Sequence, residues 1–212
     1  MNIPALSSER HKICIICEGN EEYDYLNKLK SLAVWNKSYG IYLDNAGGNG
    51  SIPAKYQDAY HNDTYDLVLV FCDTEKKPYE QYDEIKNKIN NFHGIDHIAD
   101  KLIIFANPCT MQIILLHIED VVLKTPAKKI NSIYIEKAFG IGEKYKASKT
   151  QRDIIFSKIT VENYYAMVER IKKLPSDDSV IGSTNFLKYI EFLTSENSSW
   201  IKDINNQIEE AV

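Results

Sequence analysis

Two kinds of segment alternate along the first half of the chain: short runs that are almost entirely apolar, and longer stretches with apolar residues at helical spacing. Apolar runs of about four to eight residues bounded by polar or turn residues are typical of buried strands. The predicted strands cover residues 12–17, 39–43, 67–72 and 102–106. The predicted helices between them cover residues 21–34, 53–60 and 79–92. Because strands and helices alternate at these lengths, we expect a mostly parallel sheet with helices on both faces.

The second half of the chain has a different pattern, because apolar residues recur at helical spacing and no strand of comparable strength is predicted. The predicted helices cover residues 111–123, 130–139, 161–174, 185–194 and 200–210. Residues 175–183 are polar with proline, glycine and serine, which predicts an exposed loop. We therefore expect a compact four-stranded α/β core over residues 1–124 and a helical C-terminal layer over residues 125–212, packed together as one unit.

Acidic residues follow two of the predicted strands. Glu18 comes directly after the first strand, and Asp73 comes directly after the third, with Glu75 two residues beyond. Functional groups collect at the carboxyl ends of parallel strands, so these carboxylates converge if the first and third strands are neighbours. Converging carboxylates repel one another unless a cation lies among them, and hard oxygen ligands select Mg²⁺ or Mn²⁺. The alternative is that these acids are solvated loop residues or helix caps.

The charge balance bears on any role with nucleic acid. Thirty acidic and 25 basic residues give a net charge of −5, which argues against a protein coated in basic surface. The densest basic cluster consists of Lys144, Lys146, Lys149 and Arg152, with Lys128, Lys129 and Lys137 upstream. This cluster is either a face that contacts phosphates or ordinary solvated surface.

Membrane insertion and secretion are not indicated. No apolar run is long enough to cross a bilayer, and the first 12 residues lack an apolar segment followed by a cleavage site, so we expect a cytoplasmic protein. The four cysteines lie in or next to apolar runs, which is typical of small buried residues in a reducing compartment. Cys14 and Cys17 have the spacing of a zinc pair, but residues three apart on one strand point to opposite faces, so no zinc site is expected.

Several motifs occur in an order that one family shares. Residues 15–22 read Ile-Ile-Cys-Glu-Gly-Asn-Glu-Glu, and a glycine-rich loop follows at 47–50. The third predicted strand ends in Asp-Thr-Glu at residues 73–75, and the fourth leads through Asn-Pro-Cys at 107–109 into an apolar helix. Over residues 12–173 the chain resembles the RloB-like branch of the Toprim superfamily.

This resemblance implies a Toprim domain that carries out Mg²⁺- or Mn²⁺-dependent phosphoryl transfer on nucleic acid. Toprim relatives include topoisomerases, primases and OLD-type nucleases. Topoisomerases and primases need more chain than is present here, so the resemblance favours a nuclease that acts on DNA or RNA. It also implies a bacterial defence or abortive-infection setting, with an ATPase-like partner protein.

The resemblance also assigns residues to the site. The implied catalytic residues and metal ligands are Glu18, Asp73 and Glu75, and the additional candidates are Gly19, Glu22 and Asn107. From the residues alone, Glu21 or Glu22 is a further acid near the site, or both are first-turn residues that complement the helix dipole. Gly48 and Gly50 precede a predicted helix, where backbone N–H groups can hold a phosphate, or they belong to a plain flexible loop.

The chain departs from the family pattern in two places, residues 110–111 and residue 75. After Asn-Pro-Cys the family continues with Phe-Glu, whereas this chain has Thr110 and Met111 and therefore lacks that acid. Glu75 stands where an aspartate is commoner, which adds one methylene and keeps the carboxylate. The change at Thr110 and Met111 favours the alternative function, a non-catalytic Toprim-like module that binds a partner protein or a nucleotide.

Overall fold

The computed structural model describes residues 10–75 and 78–210. In this part of the chain four strands form one sheet: β1 (His11–Cys17), β2 (Tyr39–Asn45), β3 (Leu67–Asp73) and β4 (Ile103–Ala106). Their order across the sheet is β2-β1-β3-β4, and neighbouring strands are parallel. The predicted α/β class with a parallel four-stranded sheet is confirmed.

The apolar sequence of β1 and β3 explains why they lie at the centre of the sheet. Ile13 of β1 lies opposite Ile41 of β2 on one side and opposite Leu67 of β3 on the other. All residues of β3 are buried. An unbroken apolar run of this kind suits a strand that is covered by helices on both faces.

Helices flank the sheet and continue into the C-terminal half. Those of the first half are α1 (Asn20–Ser31), α2 (Ile52–His61), α3 (Glu80–His93) and α4 (Ala99–Leu102), with a 3₁₀ turn at Asn49–Ser51. Those that follow are α5 (Met111–Leu116), α6 (Lys128–Phe139), α7 (Lys149–Ser157), α8 (Val161–Ile171), α9 (Phe186–Thr194) and α10 (Ser199–Glu209). Phe71 of β3 stacks on Phe186 of α9 with ring centroids 5.6 Å apart. The C-terminal helices therefore pack on the same core as the sheet.

Helix α5 is shorter than predicted, because it ends at Leu116 and not at residue 123. The side chain of Gln112 donates to the carbonyl of Val121 at 2.9 Å and accepts from the N–H of Leu123 at 2.7 Å. These bonds hold the next segment against the helix as an irregular return. The return buries Leu123. Apolar residues therefore continue beyond the end of α5, and this continuation is similar to the pattern of a longer helix.

Helices α4 and α7 are not among the predicted elements. Helix α4 has only 4 residues, too few to show a periodic pattern. Helix α7 begins at a polar segment, and the hydroxyl of its N-cap, Ser148, accepts from the N–H of Gln151 at 3.4 Å. Its buried apolar residues, Ile155 and Phe156, lie next to each other and give little helical periodicity.

The four cysteines are buried with free thiols, as predicted. Burial raises the pKa of the Cys17 and Cys72 thiols well above the ordinary value. Both thiols therefore stay protonated, and cysteines in this state behave as small apolar residues.

The loop predicted at residues 175–183 is exposed over much of its length, but its last residues are buried. The N–H of Gly182 donates to the carbonyl of Asn107 at 2.9 Å, and the N–H of Asn107 donates to the carbonyl of Ser183 at 3.0 Å. Thr184 then forms an antiparallel bridge with Ala106 of β4. The end of the loop therefore covers the outer edge of β4, where a strand would otherwise have unpaired backbone groups.

Gly182→Ala is expected to destabilise the fold. Gly182 has a φ of +85°, and an added Cβ would lie 2.9 Å from the carbonyl oxygen of Leu123 and still closer to Val122. Gly94→Ala is the matched control, since Gly94 has a φ of +69° but a Cβ there would meet nothing within 4 Å. We expect the control to lose about 1–2 kcal/mol and Gly182→Ala to lose at least about 1 kcal/mol more. Urea unfolding measures both, and equal losses would contradict this packing.

Candidate metal centre

The candidate site lies where the order of the strands reverses. The chain passes from β1 to β2 on one side and then crosses to β3 on the other side of β1. In open parallel sheets such a switch leaves a crevice at the carboxyl ends of the two central strands. Glu18 directly follows β1 and Asp73 is the last residue of β3, so both lie at this crevice.

Three carboxylates meet there. One carboxylate oxygen from each of Glu18, Asp73 and Glu75 lies within 4.8 Å of the corresponding oxygens of the other two. The side chain of Glu18 reaches from one strand to the next, because its Oε2 accepts from the backbone N–H of Asp73 at 2.9 Å. The predicted convergence of these three acids at the carboxyl edge of the sheet is confirmed.

Asp73 is fixed by Thr110. The Oδ1 atom of Asp73 accepts from the backbone N–H of Thr110 at 2.7 Å and from its hydroxyl at 2.9 Å. These two bonds orient the buried carboxylate and leave its Oδ2 to the other members of the cluster. Thr110 is one of the two departures from the family pattern, and here it supplies two donors at the site.

Glu75 is held in an uncommon backbone conformation, with a φ of +62°. For a residue other than glycine this left-handed conformation costs about 1–2 kcal/mol. The N–H of Thr74 donates to the carbonyl of Ala106 at 3.1 Å, and the N–H of Glu75 donates to that of Pro108 at 3.1 Å. The segment after β3 is thus fixed to the end of β4. Strain that the surrounding structure maintains in this way is frequent at functional sites.

A lysine from another part of the chain also reaches the cluster. Lys128 is the first residue of α6, and its Nζ lies 2.5 Å from Oε1 of Glu75 and 3.9 Å from Oδ2 of Asp73. The sequence suggests no role for Lys128 beyond that of one basic residue among several before Lys144. Lys128 lies 53 residues from Glu75 along the chain, and no motif connects the two, so sequence reasoning misses this contact.

Glu21 and Glu22 belong to the same electrostatic cluster. The Oε2 atom of Glu22 accepts from the N–H of Gly19 at 3.0 Å, which caps α1 and agrees with a first-turn helix role. The Oε1 atom of Glu21 accepts from the hydroxyl of Tyr145 at 2.6 Å. The sequence names Glu21 or Glu22 as a further acid near the site, or both as first-turn residues of the helix, and the structure brings both close to the cluster.

The pKa values of four acids at the crevice are raised, namely those of Glu18, Glu21, Glu22 and Asp73. Burial, and after it repulsion from Glu22, raises the pKa of Glu18 to about 7 and that of Glu21 to about 7. Burial and the charges of Glu22 and Glu18 raise the pKa of Asp73 well above its usual range. The positive charge of Lys128 opposes these shifts. Carboxylates perturbed in this way are frequent at functional sites, and the positive charge of the described residues does not offset the burial and repulsion of these acids.

The glycine-rich loop supports Glu18 from the neighbouring strand. The N–H of Gly48 donates to the carbonyl of Glu18 at 2.8 Å, and the N–H of Gly47 donates to the side chain of Asn45 at 2.8 Å. These amides are paired within the protein, so the N–H of Gly48 is not free for a phosphate, although phosphate binding is one of the two alternatives for this loop. Gly50 lies in the 3₁₀ turn that follows. The loop thus contributes by holding the backbone of Glu18.

Asn107 is buried at the end of β4 and supports the adjoining loop. Its side-chain amide donates to the hydroxyl of Tyr79 at 3.1 Å and to the carbonyl of Asp178 at 2.7 Å. Together with its backbone bonds to Gly182 and Ser183, these contacts fasten residues 175–183 to the sheet. Asn107 therefore supports the wall of the crevice.

The predicted basic residues divide into two groups. Three of them are exposed: Lys144, Lys146 and Lys149. Arg152 is buried, and its Nε donates to Oδ2 of Asp24 at 2.7 Å, while Nη1 donates to the carbonyl of Ala147. The ion pair of Arg152 with Asp24 therefore joins α7 to α1. This contradicts the predicted role of Arg152 in contacting phosphates.

The donors at the crevice suit a hard divalent cation. Oxygen ligands of an octahedral Mg²⁺ are about 3.0 Å apart when adjacent and about 4.2 Å apart when opposite, because each Mg–O bond is about 2.1 Å long. The oxygens of Glu18, Asp73 and Glu75 lie within 4.8 Å of one another, so side-chain movements of about 1–2 Å bring them to these spacings. A donor set made only of oxygens favours Mg²⁺ or Mn²⁺. The cluster could therefore hold a divalent metal.

Sequence family models, curated proteins and solved structures provide no match for this chain. Among the residues that the structure describes, none of the helices is both long enough and apolar enough to span a bilayer. The geometry and charge of the site are therefore the main support for a function.

The metal-free protein is expected to lose stability as pH rises from about 6.5 to about 8. The pKa of Glu18 is raised to about 7 in the folded protein, against about 4.3 in an unfolded chain. Between these two pKa values the folded state holds a proton that the unfolded state has lost, so the free energy of unfolding falls with rising pH, and the fall levels off once pH has passed through about 7. The pH range from about 6.5 to about 8 lies at or above the pKa of about 6.5 of an unfolded histidine. Titration of the histidines therefore contributes little to the change in unfolding free energy.

Urea unfolding across this window measures the effect. Glu18→Gln should reduce the loss of unfolding free energy by about 1 kcal/mol. Glu196→Gln, at an exposed position in the loop before α10, is the control and should retain the wild-type slope. A Glu18→Gln slope equal to that of the wild type would refute the raised pKa.

Proposed function

We propose that this protein is a metal-dependent phosphoryl-transfer enzyme, specifically a nuclease that hydrolyses phosphodiester bonds in DNA or RNA. The observation that carries the proposal is the convergence of Glu18, Asp73 and Glu75 at the switch point of a parallel sheet. In this proposal the three carboxylates bind Mg²⁺ or Mn²⁺. A bound divalent ion supplies an activated water and stabilises charge on the leaving oxygen.

The energetic cost of the cluster supports a catalytic use. Burial first, and then repulsion from neighbouring carboxylates, raises the pKa values of Glu18 and Asp73, so keeping both acids ionised at this place costs free energy. Glu22 has a structural use as the cap of α1. Glu75, by contrast, has a strained backbone, and its carboxylate pairs with Lys128 and makes no cap. A cation-binding role explains why such an arrangement is retained.

The exposed lysines support a polyanionic substrate. Tyr145 lies between Lys144 and Lys146 in the chain, and its hydroxyl donates to Glu21 at 2.6 Å. This segment is therefore anchored to the acidic cluster while its lysines extend into solvent. Ammonium groups beside a metal site suit a chain of phosphates, which they bind with a strength that falls with salt.

The resemblance to the RloB-like branch of the Toprim superfamily supports the same proposal, because the acids of its motifs are the ones that converge. It extends the proposal to the cellular setting. We place the protein in the cytoplasm, in a bacterial defence or abortive-infection system, where an ATPase-like partner protein controls its activity.

A non-catalytic Toprim-like module is the second candidate. It is favoured by the ion pair of 2.5 Å between Lys128 and Glu75, which neutralises part of the acidic cluster without a metal. It is also favoured by Thr110 and Met111, which stand where the family pattern has Phe-Glu. Such a module would use the crevice to bind a partner protein or a nucleotide.

Asp73→Asn is expected to abolish stabilisation by metal. The asparagine keeps an oxygen that can accept the two bonds from Thr110 but removes one charge, so the metal-free variant should unfold at a higher temperature than the wild type. Mn²⁺ at about ten times its dissociation constant should stabilise the wild type by about 1.4 kcal/mol. Calorimetry with and without Mn²⁺ tests this. Asp203→Asn, at an exposed position of α10, is the control, and identical responses of wild type and Asp73→Asn would count against the site.

The acids and the exposed lysines are expected to act on different steps. Asp73→Asn should remove cleavage and leave nucleic-acid binding nearly intact, because the charge is needed for the chemical step. Joint replacement by glutamine at Lys144, Lys146 and Lys149 should weaken binding. The logarithmic salt slope should fall by about 0.7–0.9 for each phosphate that the protein no longer neutralises.

Cleavage assays and filter binding at several salt concentrations measure these effects, with the partner protein present once it is known. Arg152→Gln is the matched control, because its buried ion pair with Asp24 predicts a loss of stability with an unchanged salt slope. If Asp73→Asn cleaves at the wild-type rate, the nuclease assignment is wrong and the binding module replaces it.

A further inference from the structure

The contacts of Lys128 bear on the state of the site before a metal binds. Its Nζ lies 2.5 Å from Oε1 of Glu75 and 3.9 Å from Oδ2 of Asp73. Both acids belong to the cluster of three carboxylates. The ammonium group therefore lies at the place where the proposed metal ion would be needed.

We infer that Lys128 is an exchangeable cation, which neutralises the carboxylates in the metal-free protein and is displaced when a divalent ion binds. The inference rests on the metal site of the proposed function. It adds a specific residue that sets how readily that site takes up metal.

The oxygens that face Lys128 are those left over by the other contacts. Thr110 occupies Oδ1 of Asp73, and the backbone N–H of Asp73 occupies Oε2 of Glu18. Lys128 lies against Oδ2 of Asp73 and Oε1 of Glu75. An ammonium group and a divalent ion on the same oxygens would lie about 4 Å apart and repel each other, so the two cations compete.

Lys128 can leave the site without opening the fold. Its side chain is 54% exposed, so the ammonium group can move into water by rotation of its own flexible stem. The N-terminal part of α6 is held independently, because the side-chain amide of Asn131 donates to the carbonyl of Thr125 at 2.8 Å.

Arg152 shows the contrasting case. Its side chain is only 10% exposed and is paired with Asp24, so it is a fixed charge. Among the described residues, Arg152 is thus a fixed cation, whereas Lys128 can be exchanged.

The exchange predicts that Lys128 lowers the affinity of the site for metal. Binding of Mn²⁺ can be measured from the electron paramagnetic resonance signal of the free ion. It should be about fivefold tighter in Lys128→Gln than in the wild type, since exposed ion pairs contribute up to about 1 kcal/mol and about 1.4 kcal/mol corresponds to tenfold. Lys128→Arg keeps the competing charge and should bind Mn²⁺ within about twofold of the wild type. Lys129→Gln removes a neighbouring exposed charge from the same helix and should also stay within about twofold.

The outcomes separate this inference from the proposed function. Tighter binding by Lys128→Gln alone supports the exchange. If the wild type binds Mn²⁺ and Lys128→Gln binds it equally well or more weakly, the exchange is refuted while the metal site stands. A tightening of the same size in Lys129→Gln also refutes it, because the effect would then be one of general charge. If neither wild type nor Lys128→Gln binds Mn²⁺, both the exchange and the metal site are refuted.

Discussion

Repulsion between the carboxylates of Glu18, Asp73 and Glu75 is the constraint on which the surrounding structure depends. Their oxygens lie within 4.8 Å of one another in a partly buried crevice, and Glu22 adds a further charge. Water screens such charges poorly once they are buried. The described residues offset the repulsion through backbone and hydroxyl donors to individual oxygens, through the raised pKa of Glu18, which favours its protonated form, and through the ammonium group of Lys128.

The sheet holds these acids together despite the repulsion. Strands β1 and β3 are neighbours with buried apolar sequences, so the positions that follow them are fixed by the core. Bonds from Thr74 and Glu75 to the end of β4 fix the segment after β3. Thr110, at the start of α5, then fixes the carboxylate of Asp73. Acids placed by a rigid scaffold cannot move apart to relieve their repulsion, and this makes them suited to bind a cation.

The parts of the site that follow strands could be predicted from the sequence. Glu18 and Asp73 each end a continuous apolar run, and parallel pairing of those runs brings the two acids to one edge. The contact of Lys128 could not be predicted, because it depends on how α6 packs, 53 residues away from Glu75. Side-chain contacts between distant segments leave no periodic pattern in the sequence.

The errors have a related cause. The lysines near Arg152 in the chain suggest a phosphate contact as one alternative, but the charge of Arg152 is paired with Asp24 within the fold. The apolar residues after Leu116 predict a longer α5, but they are buried by an irregular return that Gln112 holds. In both cases the local composition shows which residues are charged or apolar, and a tertiary contact decides their role.

A crystal structure of the protein soaked in Mn²⁺ tests the central claim most directly, because anomalous scattering locates the ion. The account predicts one anomalous peak about 2.0–2.2 Å from a carboxylate oxygen of each of Glu18, Asp73 and Glu75, with the ammonium group of Lys128 moved away from Glu75. The absence of a peak in the crevice at saturating Mn²⁺, with the ion pair between Lys128 and Glu75 intact, would contradict it.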